Sequence, residues 1–301
     1  MLTRFPVAAA ALLALAALSG CGSATETAAP PSAGATAAKD KKHQFQAAKA
    51  DCMKQKGFKY IPYVYPRPEG TEEGRLRDAG DYQAMRKYRE KYGFGVFALY
   101  VYPKELGNPQ VKPDKPQAVD PNLKIQSSLS KAQNQAYRKA MEACEITTAN
   151  QLYGLNLKQG VNFFNEAGKA SNRAVRTTVN SDPKLVELAT AMATCLKGKG
   201  YAIADTTPMA MAERGSTEFH AQEDKLGRAQ MKDVPDVAPP KKADEVPMYY
   251  APTLTPEDAR PYLAKEIRAA LDDVDCGKDF YPAYLPKEWA IRARVDEQYG
   301  M

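Results

Sequence analysis

The chain is poor in the residues that carry most enzyme chemistry. It has two histidines, His43 and His220, and one tryptophan, Trp289, among 301 residues. It lacks a Cys-x-x-Cys pair, a Gly-x-Ser-x-Gly elbow, a His-Glu-x-x-His helix and a phosphate-binding loop. Those absences remove the recognisable routes to dithiol redox chemistry, serine hydrolysis, zinc proteolysis and nucleotide binding. The long apolar run, Val7 to Leu18, falls short of the about 20 residues needed to span a bilayer. Neither sign of charge is in large excess. The net value is +6, with Lys and Arg interspersed among acids. That pattern argues against nucleic-acid binding and allows a weak attraction to anionic envelope polymers or lipid head groups.

What is present starts at the N-terminus. Arg4 precedes the Ala- and Leu-rich run, and Leu18-Ser19-Gly20-Cys21 closes it. The arrangement has the form of an export signal, and the closing tetrapeptide resembles the lipobox of bacterial lipoproteins. That resemblance implies removal of residues 1–20, a diacylglyceryl group on Cys21, and a lipid anchor on the extracytoplasmic face of the cell membrane. Residues 21–39 are mostly Gly, Ser, Ala, Thr and Pro, too little apolar surface to offset ordering entropy, and read as a flexible stalk.

Setting Cys21 aside leaves Cys52, Cys144, Cys195 and Cys276. An even number in an exported chain reads as two disulfides, with three formal pairings. Metal binding is disfavoured, because zinc ligands usually sit two to four residues apart. Two cues favour Cys52–Cys144 with Cys195–Cys276. First, Cys52-Met53-Lys54-Gln55-Lys56-Gly57-Phe58 echoes Cys195-Leu196-Lys197-Gly198-Lys199-Gly200-Tyr201. In each copy the Gly suits a helix C-cap and the lysines suit the negative end of the helix dipole. Second, each copy is followed by a cysteine near the expected end of another helix. The closed loops, 92 and 81 residues long, give each bridge a stabilisation of about 4 kcal/mol.

Hydrophobic spacing gives a mainly α fold, a helical body with long Pro-rich loops and at most one or two short strands, stapled by the two disulfides. Helices are expected over Lys42–Lys56, Asp81–Tyr92, Ser130–Cys144, Gln159–Thr177, from Asp182-Pro183, from Thr255-Pro256, and from Pro286 onwards. Leu185, Leu188, Met192 and Cys195 form one expected buried face, and Leu263, Ile267, Leu271 and Val274 another, with that helix ending or distorting before Cys276. Phe97–Tyr102 is the best strand candidate. Tyr60–Pro66 reads as extended, its prolines arguing against a central strand. Asn108–Asn122 and Pro235–Pro252 read as loops. The body divides into an N-terminal helical unit, 40–155, and a C-terminal one, 156–301, as divergent repeats that can form one body.

Sites are sparse. Glu218, His220 and Glu223 do not match a known ligand spacing, and Met209 and Met211 read as a small buried patch rather than a soft-metal site. Asp272-Asp273-x-Asp275 reads as a polar helix end. No catalytic residue, metal or cofactor is assigned. The compositional oddity is 17 tyrosines, several beside prolines. Tyr60, Tyr63, Tyr65, Tyr249 and Tyr250 are candidates for an amphipathic contact surface, with packing as loop anchors the plainer reading.

At its cysteines the chain resembles a broad group of lipoproteins and secreted proteins from actinobacteria without an established activity. The likeness rests on the Cys-x-x-x-x-Gly-aromatic segments at Cys52 and Cys195, and on Glu266-Ile267-x-x-Ala270-x-x-Asp273-Val274-x-Cys276 with the tail containing Trp289. It implies export and the same cysteine pairing, and carries over no catalytic residue. The expectation is a non-enzymatic envelope lipoprotein that binds an envelope protein or a cell-wall polymer. A glycan hydrolase working through paired carboxylates is the alternative.

Overall fold

The computed structural model describes residues 33–66, 70–109, 111–112, 118–236 and 249–301, with side chains from residue 41 onwards. The signal segment and Cys21 lie outside the described residues, as do parts of both Pro-rich stretches. The described fold is mainly α, with eleven helices and no strand among the described residues. In chain order they are α1 (Ala33–Gln55), α2 (Glu72–Asp78), α3 (Tyr82–Tyr92), α4 (Ala98–Val101), α5 (Asn122–Ser127) and α6 (Lys131–Tyr153). The second half supplies α7 (Phe163–Asn180), α8 (Pro183–Gly198), α9 (Pro208–Ala229), α10 (Pro256–Cys276) and α11 (Phe280–Gln298).

Most helix starts follow from local capping. Asp81 accepts from the Ala84 amide, Ser130 forms a reciprocal box with Gln133, Asp182 accepts from Lys184 and Leu185, and Thr255 accepts from Asp258. Each satisfies an amide that the first helical turn leaves orphaned. The echoed cysteine segments close in the same way. Gly57 and Gly200 have φ of 82° and 91°, and the amides of Phe58 and Tyr201 return to the carbonyls of Met53 and Leu196. Both are Schellman-type ends, and the two carbonyl residues are fully buried.

Both disulfides form as expected, Cys52–Cys144 joining α1 to α6 and Cys195–Cys276 joining α8 to α10. Lys49 and Glu145 add a buried ion pair of 3.2 Å to the first junction. Phe45 on α1 stacks on Phe163 of α7, with centroids 5.4 Å apart, and the same cluster takes in Val295 and Tyr299 of the C-terminal segment. Meanwhile α3 and α4 pack on α10. The two halves of the sequence therefore interleave.

Several local expectations are corrected. Phe97–Tyr102 is not a strand. Its centre is the helical turn α4, an unbroken apolar and aromatic run in which Ala98, Tyr100 and Val101 are buried and Leu99 partly so, a pattern that does not separate strand from helix. Helix α6 runs nine residues past Cys144, so that cysteine sits inside the helix rather than near its end. Cys195 is exposed, and the buried face of α8 is Leu185, Ala189, Met192, Ala193 and Leu196. Helix α10 continues through Cys276. Helix α11 begins at Phe280, six residues before Pro286, because buried Phe280, Tyr281 and Tyr284 fix its first turns against the core. Helix α1 begins at Ala33, within the stretch read as stalk.

Replacing Cys195 and Cys276 together by serine should cost up to about 4 kcal/mol of unfolding free energy, by the loop-closure entropy of the 81-residue span. Chemical denaturation under non-reducing conditions measures this, and non-reducing peptide mapping of the wild type should yield both cross-linked peptides, Cys52/Cys144 and Cys195/Cys276.

Candidate functional site

The residues with the most chemistry lie along α10. Its buried stripe is Ala259, Leu263, Glu266, Ala270, Asp273 and Val274, so two carboxylates share the face expected to be purely aliphatic. Seven residues separate them, two helical turns on one side. Both are 0 % exposed.

Glu266 receives the backbone amides of Val96 and Phe97 at 2.9 and 2.8 Å, one on each carboxylate oxygen. It caps α4 from a different helix. Burial raises its pKa above the ordinary carboxylate range, and the amides pull the other way. The approach depends on Gly93, whose φ is +59° and whose position would put a Cβ 2.7 Å from the Glu266 side chain. A side chain there would be strained and would displace the carboxylate.

Asp273 sits at a junction of four helices. Arg89 of α3 donates to it, Arg214 of α9 donates at 3.3 Å, and the Tyr281 hydroxyl of α11 donates at 2.5 Å. Arg89 also donates to the Ala270 carbonyl, while Arg214 pairs with Glu218 at 3.2 Å. Burial, then the neighbouring Asp273, pushes the Tyr281 phenol above its usual range and keeps it a donor. The flanking acids turn outward. Asp272 meets Lys199 and Tyr201, and Asp275 meets Arg86 and Tyr82. The run is three inter-helix ties, each acid with its own cation, and not a polar helix end facing water.

The other residues singled out in the sequence separate. His220 is exposed, touches Glu223 at 3.0 Å and meets the edge of Tyr249, whereas Glu218 belongs to Arg214. Glu223 in turn accepts from Tyr100 at 2.5 Å. Met209 and Met211 are buried in the main core. Among the described residues no group of three His, Cys, Asp or Glu side chains is placed to hold a metal. Nor is any described helix long and apolar enough to cross a membrane.

The five tyrosines fall in two places. Tyr250 lies under the Arg228 guanidinium at 4.5 Å, and Tyr249 stands exposed beside His220. Tyr60 is an anchor, its hydroxyl on Gln46 and its ring under the Lys49 ammonium. Tyr63 and Tyr65 meet edge to face and line a groove of about 300 Å³ with Phe45, Phe163, Phe164 and Tyr299. Tyr65 and Phe164 are more than half exposed there, at 58 % and 55 %. Phe164 belongs to this surface, and no sequence signal marked it beyond its place beside Phe163.

Comparison with protein-family models, with curated proteins and with solved structures returned no match for this chain.

Two outcomes follow from these networks. Asp273→Ala leaves two buried guanidiniums facing a cavity, and should cost about 3–5 kcal/mol or prevent folding, read by denaturant titration. The Glu223 hydrogen bond raises the His220 pKa, so the contribution of His220 is complete below its unfolded value and fades as pH rises through the folded one. The stability difference between wild type and His220→Ala should therefore be larger at pH 5.5 than at pH 8.5, and equal differences would refute the assignment.

Proposed function

We propose that the chain is a lipid-anchored extracytoplasmic protein that binds a cell-wall polymer without transforming it. The observation that carries the reading is the open aromatic groove where Tyr63, Tyr65 and Phe164 meet. Large aromatic rings held half in water beside a concavity supply broad apolar faces with polar edges, the combination that suits amphipathic polymers. The anchor reading rests on the Cys21 segment of the sequence.

Two further features support binding over catalysis. The fully buried carboxylates, Glu266 and Asp273, are engaged by backbone amides, arginines and a tyrosine, away from solvent. They are unsuited to act as an acid and base flanking a glycosidic bond, which needs open carboxyl groups on either side of the substrate. The modest net charge of +6 favours encounter with anionic wall polymers.

The test has two arms. A Cys21→Ser precursor should lose lipid labelling and surface retention. The detergent-solubilised full chain should co-sediment with purified wall sacculi, and Tyr65→Ala/Phe164→Ala should reduce that fraction severalfold with an unchanged melting curve. Undiminished sedimentation of the double variant would remove the groove from the reading.

A further inference from the structure

Helices α2, α3, α9 and α11 meet at a second cleft, of about 260 Å³, which none of the ties described above accounts for. We infer that it is a glycan subsite for one N-acetylated pyranose ring. The inference deepens the wall-polymer reading, rests on it for the source of the ligand, and names the chemistry of the ring.

The wall of the cleft is aromatic. Trp289, the single tryptophan of the chain, lines it and is 55 % exposed, although the same helix buries Phe280, Tyr281, Tyr284 and Ile291. An indole left in water at a concavity, on a helix with ample core to bury it in, offers a flat face for the C–H side of a sugar ring. Tyr88 lines the cleft as well.

The polar groups select for a neutral, hydroxylated ligand. Arg77 lies 4.5 Å over the Tyr88 ring and donates through Nε and Nη2 to the same oxygen of Asp78, both at 3.3 Å. That leaves the pair with donors on the guanidinium and a second carboxylate oxygen as acceptor, side by side at the edge of the cleft. Vicinal hydroxyls, each donor and acceptor at once, complement such a pair. An anion would meet Asp78 and a cation would meet Arg77. Deeper in, Arg89 is already neutralised by Asp273 and adds no free charge.

Apart from Gly93 and from Ser216, whose hydroxyl donates to the Glu213 carbonyl of its own helix, the remaining lining is apolar. Met85, Phe94, Ala212 and Leu285 contribute it, and Met85 is only 5 % exposed. A plain hexose, hydroxylated all round, would desolvate its hydroxyl groups against those side chains without compensation. An acetamido group places a methyl there instead. The cleft has room for one ring and that substituent, and its open side lets neighbouring rings of a chain extend into solvent.

The lone tryptophan makes the experiment direct, because all indole fluorescence reports from the cleft. The detergent-solubilised full chain is titrated with N-acetylglucosamine tetrasaccharide and, separately, with cellotetraose. A saturable fluorescence change is expected with the acetylated probe, at least tenfold weaker with cellotetraose. By calorimetry, Arg77→Ala and Trp289→Ala should each weaken binding at least tenfold while melting with the wild type. No saturable change with the acetylated sugar, equal affinity for both sugars, or undiminished binding by both variants would each overturn the assignment. If the sugar fails to bind while sacculi still capture the chain through Tyr65 and Phe164, the subsite falls and the wall-polymer reading stands. If the sugar binds while sacculi capture nothing, the wall-polymer source falls and the ring chemistry stands.

Discussion

Asp273 holds α10 to three other helices through a single carboxylate, and the rest of the body is arranged around keeping that carboxylate paired. A buried acid and two buried guanidiniums cost several kcal/mol each in lost hydration, a cost offset only by good geometry and complete hydrogen bonding. The pairing is close to complete, with the buried Arg214 Nε left without a partner. Arg89, Arg214 and Tyr281 surround Asp273, and the second positive charge is balanced by Glu218 at the surface end of Arg214. Two positive and two negative groups cancel. The network favours this packing over slid or rotated ones, since any shift that separates one partner strands another.

Glu266 extends the same constraint by two turns. It replaces the missing carbonyl partners at the start of α4, so that a four-residue helix, too short to be stable alone, is held by a carboxylate about 170 residues away in sequence. Gly93 and Gly215 are the small residues that let these elements close. A Cβ on Gly215 would lie 2.0 Å from the Phe94 ring, and one on Gly93 would strike Glu266. The loop from Gly93 to Phe97 is thus shaped by α9 on one side and α10 on the other.

This explains which parts of the fold can be read from sequence. Helix starts at Asp81, Asp182 and Thr255 are legible because a cap and its amide lie within three residues of each other. The cysteine pairing is legible because the two C-cap segments repeat a local motif, and the local motif does form twice. Phe97–Tyr102 is not legible, since its backbone state depends on Glu266 from another helix. Asp273 is read as solvent-facing because its neighbours, Asp272 and Asp275, are acidic as well. Only the tertiary positions of Lys199, Arg86, Arg89 and Arg214 turn the three acids into three inter-helix ties. The contact surface is legible in part. Tyr63 and Tyr65 do line a groove, but Tyr60 and Tyr250 pack beneath cations, and Phe164 enters only when α7 is placed against the extended segment.

A fold that spends its buried ionisable groups on internal ties has consequences for where ligands can act. Lys49, Glu145, Glu266, Asp273 and Arg89 are buried and engaged by partners within the protein, so drawing any one of them away to serve chemistry would leave its partner unsatisfied. What the described surface offers instead are aromatic faces at concave places, Tyr65 and Phe164 at one groove and Trp289 at another cleft. The groove is built on α1, the helix nearest the Cys21 segment in sequence, and the cleft on α2, α3, α9 and α11. The two lie on different sets of helices, yet both draw on α11 or the residues that follow it. A polymer long enough to reach both at once would gain from effective concentration, and its binding would then exceed that of either contact alone.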